Sequence, residues 1–188
     1  MSSTQIFGFD KNGNAYLEAE VKNAWRGAMA VWRILEEKYL PPYRPEYIPA
    51  HIPTSEIKRI FHFAPTRCSS GNEDAMQEVW ALANDNRLKE CEKIVLLSTF
   101  DYVVVKKENL HKLISAFREF EGETSLKEQA DIIEKMLKDE NCIAVAFNQT
   151  SICMDDWVNG EYDEEKDEYK PYNIFKGDKH WELFDELK

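Results

Sequence analysis

The sequence lacks the short motifs that announce a known chemistry. It has no GxxxxGK[ST] or GxGxxG loop to cradle phosphate groups, and its seven glycines are widely spread. No GxSxG elbow presents a serine nucleophile. The Ser55-Glu-Ile-Lys58 spacing stands without the companion motifs of a serine acyl-enzyme. The histidines (His51, His62, His111, His180) form no HExxH or other paired spacing, and the cysteines (Cys68, Cys91, Cys142, Cys153) form no CxxC pair. A stretch from Asp155 imitates a calcium loop, but it puts Trp157 at the third position and Lys166 at the twelfth, where carboxylates belong. The expectation is therefore no metal and no cofactor, and a reading that leans toward a non-enzyme while leaving the enzyme question open.

Positive charge is also scarce. Lys and Arg number 24 against 35 Asp and Glu, a formal net charge of −11. Such a charge repels phosphate backbones and anionic membrane surfaces, so no direct nucleic-acid or membrane partner is expected. The first residues, MSSTQIFGFD, have neither a basic nor an apolar signal region, and no apolar run approaches the ~20 residues that span a bilayer. With scattered cysteines, this predicts reduced thiols and a cytoplasmic location.

Hydrophobic residues make up 43% and aromatics 12% of the chain, enough for a sizeable core in a single domain over residues 1–188. Around Asn12-Gly13, the segments TQIFGFD and NAYLEAEV predict a β-hairpin over residues 4–21. Trp25, Ala28, Met29, Trp32, Leu35 and Tyr39 recur at helical spacing, so residues 24–39 read as an amphipathic helix with Trp25 in the core. Six of the seven prolines fall between Pro41 and Pro65. Residues 41–71 thus read as a stiff, ordered excursion rich in aromatics, with one short helix at Thr54–Phe61.

Asn72 is placed to cap a helix over residues 72–84. The apolar run Lys93–Lys106 reads as a helix through Ser98 feeding a strand at Tyr102–Lys106. Helices follow at Leu110–Phe120 and Leu126–Leu137, the second opened by a capping box at Ser125-Leu-Lys-Glu128. Cys142–Asn148 supplies a second long strand. The tail from Asp155 holds twelve acidic residues against five lysines. Residues 155–177 read as an acidic loop, and Asp178 as the cap of a last short helix. The expected fold is α+β: a small, largely antiparallel four-stranded sheet packed by five or six helices.

Two polar islands interrupt the apolar runs, Ser98-Thr99-Phe100-Asp101 and Asn148-Gln149-Thr150-Ser151. If the two long strands pair, both islands lie at strand ends. Arg26, Ser98, Thr99, Asp101, Asn148 and Gln149 are then candidates for orienting a polar small molecule. The plainer reading has Ser98 and Thr99 closing a helix and Asn148-Gln149 opening a loop. Asn23-Ala-Trp-Arg26 is the third polar candidate. The main functional expectation is a non-catalytic interaction or regulatory protein that meets a protein partner through Tyr43–Pro53 or the acidic strip Glu161–Glu168. The alternatives are a small-molecule-binding domain or small enzyme near Asp101 and Asn148-Gln149, and a subunit of a larger assembly.

Overall fold

A computed structural model describes residues 2–62, 64–150, 152, 156–165 and 167–187. Among the described residues the fold is mixed α and β, with six α-helices and a five-stranded sheet. β1 (Ser3–Phe9) and β2 (Ala15–Lys22) form the hairpin, closed where the Asn12 and Asn14 amides donate to Asp10 Oδ1. β4 (Ala144–Gln149) pairs antiparallel with β1 on one side and with β3 (Val103–Lys106) on the other. With β7 (Trp181–Glu182) at the far edge, the strand order is β2-β1-β4-β3-β7.

The expected four-stranded antiparallel sheet is corrected by β7 (Trp181–Glu182), which adds a fifth strand parallel to β3. It stands where a final helix was expected after Asp178. The free edge of β3 explains the difference: Tyr102 and Val104 expose carbonyls that accept the amides of Trp181 and Leu183 at 3.0 Å. Trp181 Nε1 also donates to the Asp101 carbonyl. The acidic tail holds a small antiparallel hairpin, β5 (Glu161–Asp163) with β6 (Glu168–Lys170), where a loop was expected. Tyr162 and Tyr169 meet edge to face across it.

The central strands are covered on both faces, so β4 is buried at every position. Val145 and Phe147 join Ile6, Val21, Val103 and Val105 beneath the helices. Ala144 and Ala146 join Phe7, Phe9 and Val104 on the other face, where Trp157 and Val158 form the cover. Gly8 sits opposite Tyr16 in the hairpin, and a Cβ on it would meet the Tyr16 ring at 2.4 Å. Gly8→Ala is therefore expected to lose about 1–3 kcal/mol of stability in urea unfolding, because the ring must leave its place over the strand.

The helices are α1 (Ala28–Tyr39), α2 (Thr54–Phe61), α3 (Glu73–Trp80), α4 (Glu90–Leu97), α5 (Leu110–Glu119) and α6 (Leu126–Lys138). α2 and the Asn72 cap of α3 lie where the sequence places them. The Pro-rich excursion is tied down by two arginines. Arg44 binds the carbonyls of Pro49 and Ile52, and buried Arg67 reaches Glu36 on α1 and the Pro41 carbonyl while lying over Tyr43. Among the described residues, no helix is long and apolar enough to cross a membrane.

Candidate functional site

α1 begins four residues later than its apolar spacing predicts, and the residues it gives up build the most distinctive corner of the molecule. β2 continues to Lys22, which pairs with Ser3. The chain then turns sharply at Asn23–Arg26, where the Arg26 amide donates to the Asn23 carbonyl at 2.7 Å. The two central residues have left-handed backbones, with φ of 43° at Ala24 and 71° at Trp25. That geometry resembles a mirror-image turn, a type that normally uses Gly or Asn because each L-residue with a side chain is disfavoured there by about 1–2 kcal/mol. Ala24→Gly is expected to stabilise the protein by about 0.5–1 kcal/mol, read as a higher urea midpoint, since it removes strain at one left-handed position.

The strained turn lifts Trp25 out of the core. Instead of the buried position its spacing suggests, the residue is 90% exposed. Met29, one helical turn further, is also exposed. On one side of this ridge lies a cavity of about 390 Å³, lined by Ser2, Asn23, Ala24, Trp25, Gly27, Ala28, Met29, Gln149 and Ile152. A second hollow of about 320 Å³ lies on the other side, bounded by Arg33, Glu37, Thr66 and Cys68 among others. Burial and the neighbouring Glu36 carboxylate push the Cys68 thiol up to about 12, so it is no thiolate at neutral pH.

The floor of the larger cavity is polar. Asn23 is 4% exposed, and its Oδ1 faces the hydroxyls of Thr4 at 3.0 Å and Ser125 at 3.1 Å. Thr4 Oγ1 also lies 2.7 Å from Gln149 Oε1. One hydroxyl proton cannot serve both amide oxygens, so one of the two amides turns its nitrogen toward Thr4. Ser125 does not close the capping box that its sequence predicts. Its hydroxyl is drawn away to Asn23 Oδ1 and the Arg26 carbonyl, and it accepts from Gln129 Nε2 at 3.0 Å. The start of α6 therefore clamps the Asn23–Arg26 turn.

Gly27 is the N-cap of α1 and offers no side-chain cap, and the first turn holds no acidic residue. A Cβ at Gly27 would lie 2.4 Å from Asn23 Nδ2, so glycine makes room for that amide. Among the described residues, the amide N–H groups of Gly27, Ala28 and Met29 have no acceptor in the chain.

The six candidates named from sequence do not gather into one site. Gln149 lines the cavity, and Arg26 supplies the backbone of the turn beside it. Arg26 makes no ion pair among the described residues. Asn148 points to the opposite face of β4, where its amide donates to Gln5 at 2.9 Å and Asp156 at 2.8 Å. Ser98 donates to the Val95 carbonyl, and Thr99 donates to Leu96 and accepts from Trp32 Nε1 at 2.8 Å, so both close α4. Asp101 lies in the turn before β3 and lines none of these cavities. Of the proposed partner segments, Tyr43 is held against Arg67, whereas Tyr47 is exposed. Ser151 of the second island lies outside the described residues. Among the described residues, no three His, Cys, Asp or Glu side chains converge as metal ligands.

No family model, curated protein or solved structure matches this chain.

Proposed function

We propose that this is a non-catalytic binding protein whose recognition site is the corner formed by the Asn23–Arg26 turn, the start of α1 and Gln149. The observation that carries this reading is Trp25: a large aromatic side chain, 90% exposed, on a strained turn at the rim of a cavity of about 390 Å³. Burying such a side chain against a ligand is strongly favourable, and aromatic anchors dominate binding sites. Local strain of this kind persists where the surroundings enforce it, and it clusters at functional positions. The cavity volume falls in the range of small-molecule sites, with apolar walls and a few convergent polar groups. No histidine or carboxylate lines it among the described residues, so Ser2, its only hydroxyl, has no base beside it.

The test uses the five tryptophans, whose indole N–H signals resolve separately by NMR. Titration with a panel of small molecules carrying an apolar body and a polar head is expected to move the Trp25 signal saturably. Trp25→Ala should weaken the same binders by about tenfold or more, equivalent to ~1.4 kcal/mol, while leaving the spectrum of the core intact. Binders that move only Trp32, Trp80, Trp157 or Trp181 and are indifferent to Trp25→Ala would place recognition elsewhere.

A further inference from the structure

We infer that the partner of the Trp25 corner is an extended polypeptide segment that lies along α1, with apolar residues at its two ends and an acidic residue between them; this rests on the corner being a binding site. The hollow of about 320 Å³ beyond the Trp25–Met29 ridge does not stop at the corner. It shares Glu37, Ala64 and Thr66 as walls with a third hollow, of about 250 Å³, which reaches Leu40, Pro41 and Pro42. The two make a trough between the exposed side of α1 and the Pro-rich excursion. α1 has twelve residues, so the trough follows it for about 18 Å. That length matches five or six residues of extended chain at ~3.3 Å each.

The walls fix the chemistry of the segment. Trp25 and Met29, both exposed, stand at one end, and Leu40, Pro41 and Pro42 at the other, so each end takes an apolar side chain. The stretch between them is charged. Arg33 and Lys58 supply two cations against one exposed carboxylate, Glu37, while the Glu36 carboxylate is buried and held by Arg67. Arg33 comes no closer than 4.0 Å to Glu37, and their side chains are 57% and 69% exposed, so this pair binds neither group firmly. The trough is thus locally cationic in a chain of net charge −11, and it complements an acidic side chain. A floor with a charged centre suits an extended chain, which brings its own backbone donors and acceptors. An amphipathic helix needs an unbroken apolar groove instead.

The experiment screens a phage-displayed library of random heptapeptides on the intact protein and titrates the enriched peptides, made synthetically, by NMR. Enriched sequences are expected to carry Asp or Glu between two apolar residues. They should shift the Trp25 indole and the Lys58 and Thr66 amides together and saturably. The double variant Arg33→Glu with Lys58→Glu should weaken them about tenfold or more. It should leave small-molecule shifts of Trp25 unchanged, because neither residue lines the larger cavity. Peptides that move Trp25 alone and ignore the double variant would overturn the trough and leave the binding corner standing. Enrichment of basic peptides would overturn the assignment of charge. Peptides that move Lys58 and Thr66 but ignore Trp25→Ala would overturn the link between trough and corner. No enriched peptide, with small molecules still moving Trp25, would overturn the polypeptide partner alone. Movement of Trp25 by neither peptides nor small molecules would remove both.

Discussion

Arg67→Ala is expected to destabilise the protein by about 3–5 kcal/mol, measured by urea unfolding at neutral pH. Arg67 and Glu36 both have side chains only 6% exposed, and their closest N–O distance is 3.2 Å. The same guanidinium donates to Glu78 at 2.9 Å and to the Pro41 carbonyl at 2.9 Å, and Glu36 Oε1 also accepts the Arg67 main-chain amide at 2.8 Å. Removing the arginine leaves the Glu36 carboxylate buried without its cation, and that uncompensated charge is the main penalty. It also frees the Pro-rich excursion from α1, because Tyr43 loses the group it packs against. The double variant Glu36→Ala with Arg67→Ala is expected to lose much less than the sum of the two single changes. A loss below ~1 kcal/mol for Arg67→Ala would mean the pair is solvated and does not fasten the excursion.

Glu92→Ala is expected to lose about 2–3 kcal/mol. The Glu92 side chain is 8% exposed and receives Lys38 Nζ at 2.6 Å, Tyr39 Oη at 2.6 Å and the Lys89 amide at 2.9 Å, joining α1 to the start of α4. Lys38 is 40% exposed, so its share is screened by salt, and the Tyr39 and Lys89 hydrogen bonds supply most of the effect. Burial by itself raises the Glu92 carboxyl, but the hydrogen bonds from Lys38, Tyr39 and Lys89 outweigh it and hold the group below the usual glutamate range. A depressed folded-state value means the stabilisation is fully present above the unfolded value, ~4.3, and is lost as pH falls through the folded one. The stability gap between the unaltered protein and Glu92→Gln should thus be constant near neutrality and close below about pH 4. A gap that does not change between neutral and acid pH would show that Glu92 gains nothing from its ionised form.

Much of the fold was legible because local signals agreed with tertiary demands. Asn12-Gly13 marks the hairpin, Pro53 precedes the Thr54–Phe61 helix, and Asn72 caps α3. The candidate site was legible only in part, and the reason is specific. Asn-Ala-Trp-Arg carries no turn residue at its two left-handed positions, so helical spacing from Trp25 to Tyr39 was the stronger local signal. What overrides it is non-local: pairing of Lys22 with Ser3, and hydroxyls from Thr4 and Ser125 that hold Asn23 out of the helix. The same diversion cancels the Ser125 capping box. The one available hint was Gly27, which weakens a helix there and marks its true start. β7 was missed for a related reason, since only the open edge of β3 makes two residues into a parallel strand. Asn148 and Gln149 could not both serve one site, because neighbours on a strand face opposite ways.

The central claim, that the corner under Trp25 is a binding site, is tested most directly by NMR titration of the five indole N–H signals with small molecules that carry an apolar body and a polar head. A saturable shift of the Trp25 signal is predicted, with the same binders weakened about tenfold or more by Trp25→Ala. Shifts confined to Trp32, Trp80, Trp157 or Trp181 and indifferent to Trp25→Ala would contradict it.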